Sequence, residues 1–423
     1  MSSFYIIIYI ILWAVTLLFY WRKNKTFNVG TFIISTYLLY AIFSYFLYDN
    51  YYRDYGFGEL ELFPFFYLYA MLMICLLPVL RYDEGLNISQ PSLSLLSSFA
   101  YIYLISSAIV IPVVITKIQM GLFLILTTDT GGDDLYYFSH LDNAAEERSF
   151  LFSKISIIYN IFSDVIVFVF FYFLTLPKVP KKLLAGLFIS IFICMLQSIA
   201  EGGRTGITMK SFVLVSSFFL FRKRLSKKIK TYVYITGSIL VFFVSILLIA
   251  IGESRFSSDD DKEANYQLLN YAGQAPLQFN KYGLDAGGIR YGDRTCSVFK
   301  KMITFQDVPM TYDECRQKYQ KMKLDDSSFS TFVGDFALDF GPIGAAIFLS
   351  FFSFLVVRLS SPKDGTIMFH QLILIFLVMS ICVQGGMYLF PYSYKGNYIL
   401  IGYIIAYFLF KWDYQRQNEK VNA

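Results

Sequence analysis

The chain alternates long apolar segments with short polar connections, and the apolar segments take up most of its length. A helix needs roughly 20 mostly apolar residues to cross a bilayer, because in hydrocarbon only a helix satisfies its own backbone hydrogen bonds. About eleven segments meet this requirement. They lie at residues 4–20, 29–48, 60–80, 93–115, 151–176, 183–200, 207–221, 231–251, 331–357, 367–383 and 398–410. The pattern predicts an all-α polytopic membrane protein with about eleven transmembrane helices.

One long polar stretch, at residues 253–328, interrupts this series between the eighth and ninth predicted spans. The prediction divides the chain into residues 1–252 with eight helices, 253–330 as a long outer loop, and 331–423 with three helices and a tail. Only this loop is long enough to build a structure outside the membrane, so function is expected there. Its acidic and basic residues are about equally numerous, and most of them are expected to be solvated.

Composition and charge agree with a membrane protein. Charged residues make up 16% of the chain, whereas soluble domains carry about 25%. Lysine and arginine concentrate on one side of the predicted spans, as expected for short cytoplasmic loops. These residues are Arg22, Lys23, Lys25, Arg81, Lys178, Lys181, Lys182, the cluster at 222–230, Arg358, Lys363, Lys411, Arg416 and Lys420. The prediction is an outer N-terminus and a cytoplasmic C-terminus. The net charge of +5 then reflects topology, and no nucleic acid is expected as a partner.

The cysteines follow the same map. Cys75, Cys194 and Cys382 fall in predicted spans, where a thiol usually packs as a small apolar group. Cys296 and Cys315 fall in the long loop, where they either form a disulfide or remain two thiols. With only two histidines and no Cys-x-x-Cys pattern, no metal site is expected.

A glycine-rich turn with one arginine follows the sixth predicted span. It reads EGGRTG at residues 201–206. Glycines let the backbone approach a ligand, and a guanidinium at headgroup level pairs bidentately with phosphate. Arg204 is therefore a candidate phosphate ligand. The competing interpretation is a tight turn whose arginine contacts lipid phosphate.

Two aspartates stand near the start of the ninth predicted span, in the sequence STFVGDFALDFGPIG at residues 330–344. Asp335 and Asp339 are four residues apart, so a helix presents them on one face. Carboxylates just below a membrane surface must face protein, water or a cation, and such groups can serve as a general base. In the structural alternative, Asp335 favours the helix N-terminus and Asp339 pairs with a nearby arginine.

Other charged residues also suggest a site. Asp164 lies near the centre of the fifth predicted span, where an ionisable group indicates either a functional site or a buried ion pair. In the long loop Arg255, Arg290 and Arg294 stand out, the last two in a glycine-rich turn at residues 287–294.

Together these features resemble one family. The number of spans, the long loop between late spans, the Gly-Gly-Arg-Thr-Gly turn and the Ser-Thr-x-x-Gly-Asp-x-x-x-Asp-Phe-Gly-x-x-Gly helix start are similar to the Wzy-type polymerases of oligosaccharide repeat units in bacterial surface-polysaccharide assembly. The resemblance covers nearly the whole chain as architecture and two short motifs as residues. The spaced arginine and glycine pattern found in the loop of some members is missing here.

The resemblance implies a metal-independent glycosyltransferase of the membrane GT-C type that needs no cofactor. Such an enzyme joins a growing glycan on undecaprenyl diphosphate to the next lipid-linked repeat unit, at the periplasmic face of the inner membrane. The resemblance assigns Arg204, Arg255 and Arg290 to the diphosphate, and Asp335 or Asp339 to the proton of the acceptor hydroxyl. The implied partners are the lipid-linked oligosaccharides, membrane lipids and a chain-length regulator.

Three alternatives remain open. An O-antigen ligase shares the architecture and differs in its acceptor. A flippase or other transporter of lipid-linked oligosaccharides suits Asp164 and the many spans, although the sequence has no convincing internal repeat of the kind common in transporters. A membrane scaffold or sensor, whose long loop binds a partner, leaves the paired aspartates without a role.

Overall fold

The computed structural model describes residues 1–53, 57–128, 135, 150–201, 205–256, 261–324 and 328–422. Its α-helices are α1 (Ser2–Asn24), α2 (Val29–Leu47), α3 (Leu62–Arg81), α4 (Leu93–Thr127), α5 (Phe150–Ile161), α6 (Val165–Thr175), α7 (Lys181–Leu196), α8 (Thr205–Phe221), α9 (Lys227–Phe256), α10 (Asp261–Gln278), α11 (Ser297–Thr304), α12 (Tyr312–Lys318), α13 (Thr331–Leu359), α14 (Phe369–Gln384) and α15 (Asn397–Asn422). Within the described ranges the strands are β1 (Asn87–Ser89) and β2 (Thr366–Met368), three residues each. The predicted all-α class is confirmed.

Within the described residues, seven helices are long and apolar enough to cross a membrane: α1, α2, α3, α4, α7, α9 and α13. The pair α5 and α6, bent by 60° at a short break, gives an eighth if the two form one span. The predicted polytopic membrane character is therefore confirmed. The other predicted spans are also helical: α8 and α14 are shorter apolar helices, and α15 continues from an apolar half into a polar tail.

The helices belong to two compact units. The first consists of Met1–Leu86, Asn265–Ile367 and Leu374–Leu400, and the second of Asn87–Ala264, Met368–Ile373 and Ile401–Ala423. The described part of the predicted outer loop thus falls mostly in the first unit, with α1, α2, α3 and α13. The prediction divides the chain into three consecutive segments, whereas each compact unit combines stretches that are distant in sequence.

Aromatic side chains form the core between the first three helices. The buried Trp13 ring packs at 4.9 Å from the ring of Tyr37 and 5.0 Å from that of Tyr69, both edge-on. Such pairs add to the stabilisation from burial. The Tyr37 hydroxyl also donates a hydrogen bond to the Cys382 carbonyl at 2.7 Å. This bond ties α2 to the end of α14 within the same unit.

The polar stretch at residues 253–328, called the polar segment below, is partly helical where it is described and packs on the apolar helices. Where α10 crosses α2, the Ser44 hydroxyl donates to the Gly273 carbonyl at 2.7 Å. A Cβ added at Gly273 would lie 2.6 Å from the Phe43 carbonyl group, so only glycine allows this close approach. The backbone of the segment is thereby fixed directly to a predicted span.

A kink divides α13 into two parts. Gly341 has φ 74° and ψ 163°, which is a conformation almost confined to glycine. The next residue, Pro342, has no N–H and so leaves the Leu338 carbonyl without its usual helical donor. The short first part carries Asp335 and Asp339, and the longer second part carries mostly apolar side chains.

The second unit has its own aromatic core. Phe168 of α6 lies 5.2 Å from the ring of Phe221 on α8 and 5.2 Å from that of Phe369 on α14. Tyr103 of α4 stacks on Tyr159 of α5 with ring centroids 5.6 Å apart. These contacts join helices on both sides of the break between α5 and α6.

Replacing Gly341 with alanine is expected to destabilise the protein by about 1–3 kcal/mol, because alanine disfavours this backbone conformation. Added volume is not the cause, since the nearest atom to a new Cβ is 3.8 Å away on Ile289. Gly237→Ala on α9 is the matched control, because nothing lies within 4 Å of that position and its φ is not positive. Thermal unfolding in detergent should give a lower Tm for Gly341→Ala alone. Equal Tm values would contradict this explanation.

Candidate functional site

The two aspartates of α13 form a buried cluster with two arginines of the polar segment. Arg290 Nε lies 3.1 Å from Asp339 Oδ1, and Arg294 Nη2 lies 3.3 Å from Asp335 Oδ1. Each of the four residues is at most 2% exposed. Isolated charges are costly to bury, and a buried ion pair is tolerated only with close partners and further hydrogen bonds. Here two positive and two negative charges meet in matched pairs.

Hydrogen bonds also engage the second oxygen of each carboxylate. Asp339 Oδ2 accepts the backbone N–H and the hydroxyl of Thr295, each at 2.7 Å, and the backbone N–H of Arg294 at 3.3 Å. Asp335 Oδ2 accepts the backbone N–H of Leu389 at 2.6 Å. Charge-assisted hydrogen bonds of this kind are stronger than neutral ones. They fix the orientation of both carboxylates.

Backbone contacts hold in place the glycine-rich turn at residues 287–294, which carries both arginines and is called the arginine-bearing turn below. The Arg290 N–H donates at 3.0 Å to the Leu338 carbonyl that Pro342 leaves free. The Arg294 carbonyl accepts from the Tyr394 N–H at 3.0 Å, and the Thr295 carbonyl accepts from the side-chain amide of Asn397 at 2.9 Å. The turn is therefore bound to α13 on one side and to the chain just before α15 on the other.

The start of α13 is conformationally strained. Thr331 has φ 68°, which is rare for a β-branched residue. Its N–H donates to the Met387 carbonyl at 2.7 Å, and the Phe332 N–H donates to the Gly385 carbonyl at 2.8 Å. These bonds maintain the strained start and fix the turn of α13 that precedes Asp335.

Asp293 forms a second, more accessible ion cluster beside the first. Its buried carboxylate contacts Lys300, and it accepts from Lys318 Nζ at 2.6 Å and from the Tyr319 hydroxyl at 2.7 Å. Burial opposes ionisation of this carboxyl, but the hydrogen bonds from these three residues outweigh it, so the pKa of Asp293 lies below its ordinary value. The pKa of the Tyr319 hydroxyl is raised by burial and by the neighbouring carboxylate.

A hollow of about 280 Å³ lies where the arginine-bearing turn meets α13. The turn contributes Gly288 and Tyr291, and α13 contributes Ala337, Gly341 and Pro342. Tyr291 is exposed, whereas the two aspartates are closed to solvent. A ligand in the hollow would therefore contact residues within two positions of Arg290 and of Asp339 before it reached the ion pairs.

The structure brings together only some of the predicted site residues. Asp335, Asp339 and Arg290 lie in the cluster described above. Arg204 lies outside the described residues. Arg255 lies in the last turn of α9, at a position whose side chain is not described.

Asp164 belongs to the second unit, at the break between α5 and α6, and pairs with Lys210 of α8. Lys210 Nζ also donates to the Ser163 hydroxyl at 2.9 Å. This arrangement corresponds to the buried ion pair that was one of its two interpretations.

Cys296 and Cys315 are both free thiols in the structure. Burial raises the pKa of each thiol, which keeps it protonated and poorly reactive at neutral pH. Among the described residues, no group of three His, Cys, Asp or Glu side chains is arranged to hold a metal ion.

Arg290, Asp293 and Arg294 are buried and so are exceptions to the solvated state expected for most charged residues of the loop. Their charges are compensated by partners on α13 and on the neighbouring lysines. Sequence reasoning did not select Thr295 or Asn397 for the site. Nothing in the local sequence marks these two, because each acts through contacts with distant parts of the chain.

No protein-family model matches this chain, and neither a curated protein nor a solved structure matches it.

Removing one member of the buried cluster should destabilise the fold strongly. Asp335→Ala removes the buried carboxylate that pairs with Arg294, and breaking a buried pair in this way costs about 3–5 kcal/mol. Asp285→Ala is the matched control, because Asp285 pairs with Lys323 on the exposed surface of the same segment, where ion pairs contribute little. Thermal unfolding in detergent should show a large fall in Tm for Asp335→Ala and a small one for Asp285→Ala. Similar Tm values would contradict a structural role for the pair.

The Asp293 cluster should make stability depend on pH. Because folding lowers the pKa of this carboxyl, its contribution is complete above the ordinary value of about 3.9 and is lost as pH falls through the lower folded pKa. Asp293→Asn should therefore be less stable than wild type at pH 7, and the difference in Tm should shrink below about pH 4. Asp307→Asn, at a fully exposed position of the same segment, serves as the control. A constant difference across this range would refute the linkage.

Proposed function

We propose that the chain is a glycosyltransferase that polymerises undecaprenyl-diphosphate-linked oligosaccharide repeat units into a surface polysaccharide, either O-antigen or capsule. The main support is the buried cluster, in which a long polar segment presents two arginines to the paired aspartates of a predicted span. Transfer of a glycan from a diphosphate carrier requires positive charge near the diphosphate and a base for the acceptor hydroxyl. The cluster contains residues of both kinds. The motif around the aspartates also carries the resemblance to Wzy-type polymerases.

The proposed setting is the inner membrane of a bacterium, with a GT-C-like architecture of about eleven crossings. The N-terminus is then periplasmic and the C-terminus cytoplasmic, in agreement with the distribution of lysine and arginine. In this orientation the polar segment and the first part of α13 are on the periplasmic side. Lipid-linked repeat units are available for polymerisation on that side.

The proposed reaction is a displacement at the anomeric carbon. The acceptor hydroxyl attacks that carbon, the bond to the diphosphate oxygen breaks, and undecaprenyl diphosphate leaves with the electron pair. Asp339 or Asp335 takes the proton of the acceptor hydroxyl. Arg290 and Arg294 neutralise the charge that develops on the diphosphate, a role that preorganised cations perform well in a site that excludes water.

The closed ion pairs imply an exchange of partners during this reaction. Each carboxylate is engaged by an arginine and shielded from solvent, so a base becomes available only when its arginine finds another anion. A bound diphosphate would supply that anion and release Asp339 or Asp335 toward the acceptor. Breaking a buried pair costs about 3–5 kcal/mol, and bidentate contacts with the diphosphate would offset this cost.

Arg204 and Arg255 are proposed as further diphosphate ligands, from the resemblance and the glycine-rich turn around Arg204. The hollow beside Gly341 is the proposed entry for the sugar, because its lining includes residues within two positions of Arg290 and of Asp339. Membrane lipids and a chain-length regulator are the other proposed partners, and no cofactor is required in this scheme.

The polysaccharide ladder of a deletion strain tests the proposal. Complementation with wild type should restore long chains, whereas Asp339→Asn, Arg290→Gln and Arg204→Ala should leave single repeat units on the acceptor. Asp307→Asn, at a fully exposed position of the same segment, is the matched control and should restore the ladder. Membrane levels of each variant are measured in parallel.

The double variant Arg290→Gln with Asp339→Asn separates chemistry from folding. It removes both charges of one ion pair, so the buried site stays neutral and should fold better than either single variant. We expect this variant to be present in the membrane and unable to make long chains. A wild-type ladder from it would reject the assigned roles of both residues.

One observation favours a second candidate, a transporter of lipid-linked oligosaccharide. The span formed by α5 and α6 is broken at Asp164, and broken helices with polar groups at the break are common at transporter binding sites. In the same deletion strain a flippase would leave all glycan on its lipid carrier. Single repeat units on the acceptor would instead favour the polymerase over both the transporter and the ligase.

A further inference from the structure

The polar segment carries a group of apolar side chains that project from the protein. Met302 is 61% exposed, Ile303 77% and Phe305 90%. Among the side chains whose exposure is described between 266 and 330, only Tyr291 is another exposed large hydrophobic residue. Elsewhere most such residues lie on the apolar helices that are candidates for crossing a membrane. Exposed apolar clusters in a polar segment indicate an interaction surface.

Met302 and Ile303 belong to one face of an amphipathic helix, and Phe305 directly follows that helix. In α11 the residues Val298, Phe299, Met302 and Ile303 follow the spacing that places them on a common side. The opposite side of the helix carries Lys300, Lys301 and Thr304. The first turn of the apolar face is packed on the protein, since Val298 is buried, and the second turn extends beyond it.

The beginning of α11 is held by residues that border apolar helices. The Val298 N–H donates to Asn397 Oδ1 at 3.0 Å, and Asn397 is the first residue of α15. The turn before α11 rests on α13, because a Cβ added at Gly292 would lie 3.1 Å from the Phe340 ring. The Phe340 ring stacks at 6.0 Å on that of Phe348, which is 43% exposed on the apolar part of α13. The turn before α11 therefore lies close to an exposed apolar surface of a candidate membrane-spanning helix.

The lysines of α11 indicate which kind of surface the helix binds. Lys300 is engaged by Asp293, while Lys301 is half exposed and lies 4.0 Å from the exposed carboxylate of Asp307. Helices that lie in a membrane interface combine an apolar face with lysine or arginine on the polar face, and they favour anionic lipids. The composition of α11 matches that description.

We propose that α11 and Phe305 form an interfacial anchor, which inserts Met302, Ile303 and Phe305 into the lipid layer and leaves Lys301 among anionic headgroups. The proposal requires a membrane-embedded chain and is independent of the glycosyltransferase function. A protein partner is the competing occupant of this face. The bilayer is favoured because the turn before α11 rests on α13 close to exposed apolar side chains of that helix, and because a lysine flanks the apolar face of α11.

The anchor would act on the arginine-bearing turn, because α11 follows Thr295 and Cys296 directly. Thr295 donates two hydrogen bonds to Asp339. Insertion of α11 would therefore fix one end of the turn relative to the membrane surface, while α13 fixes the other.

Quenching of tryptophan fluorescence by brominated lipid tests the proposal. The full chain carrying Phe305→Trp is reconstituted into vesicles of phosphatidylglycerol and phosphatidylcholine with bromine in the upper acyl chain. Thr304→Trp, on the polar side of the same turn, is the matched control. Both variants change exposed positions and should fold, and the wild-type signal from Trp13, Trp21 and Trp412 is subtracted from each.

We expect severalfold stronger quenching of Phe305→Trp than of Thr304→Trp. Adding Ile303→Ser and Met302→Ser should reduce the quenching of Phe305→Trp, because the apolar face is then too small to insert. Equal quenching in the two tryptophan variants would overturn the anchor and would leave the exposed face to a protein partner.

Discussion

The first unit depends on the requirement that buried charges compensate each other. Arg290 and Arg294 come from a polar segment, Asp335 and Asp339 come from an apolar helix, and none of the four is stable inside the protein without its partner. Apolar burial alone would not choose one position of the segment on α13, because many arrangements bury similar area. Ion pairs are selective, since each pair requires a particular register. The cluster thus determines where the segment lies.

Much of this architecture could be predicted from the sequence. Long apolar runs identify helices because backbone groups in lipid must bond within their own segment, and each predicted run is helical over most of its length. The four-residue spacing of Asp335 and Asp339 likewise predicts their common face. The break at Asp164 could not be derived in this way, because the run at 151–176 is apolar on both sides of it. The polar contacts that accompany the break involve Lys210, which belongs to another helix.

The burial of the loop arginines also could not be predicted from the sequence. A segment with balanced acidic and basic residues has the composition of a solvated loop. Composition alone does not show which charged residues lie close to a partner in the folded protein. Arg290 is close in sequence to Asp285 and Asp293, yet its ion pair is with Asp339. Only the fold of α13 brings that carboxylate within reach. Asn397 had no local signal either, because it acts through the backbone of Thr295 and Val298.

The proline of the α13 kink has a consequence for how the chain can vary. Pro342 withholds one amide from its own helix, and the unused Leu338 carbonyl accepts the Arg290 N–H from a segment far away in the chain. The positive φ of Gly341 diverts the chain from the helical path at the same point, so the carbonyl stays open to Arg290. The break in the helix therefore provides an attachment point for the loop. Paired substitutions that restored a regular helix at positions 341 and 342 would loosen a contact made by an unchanged arginine.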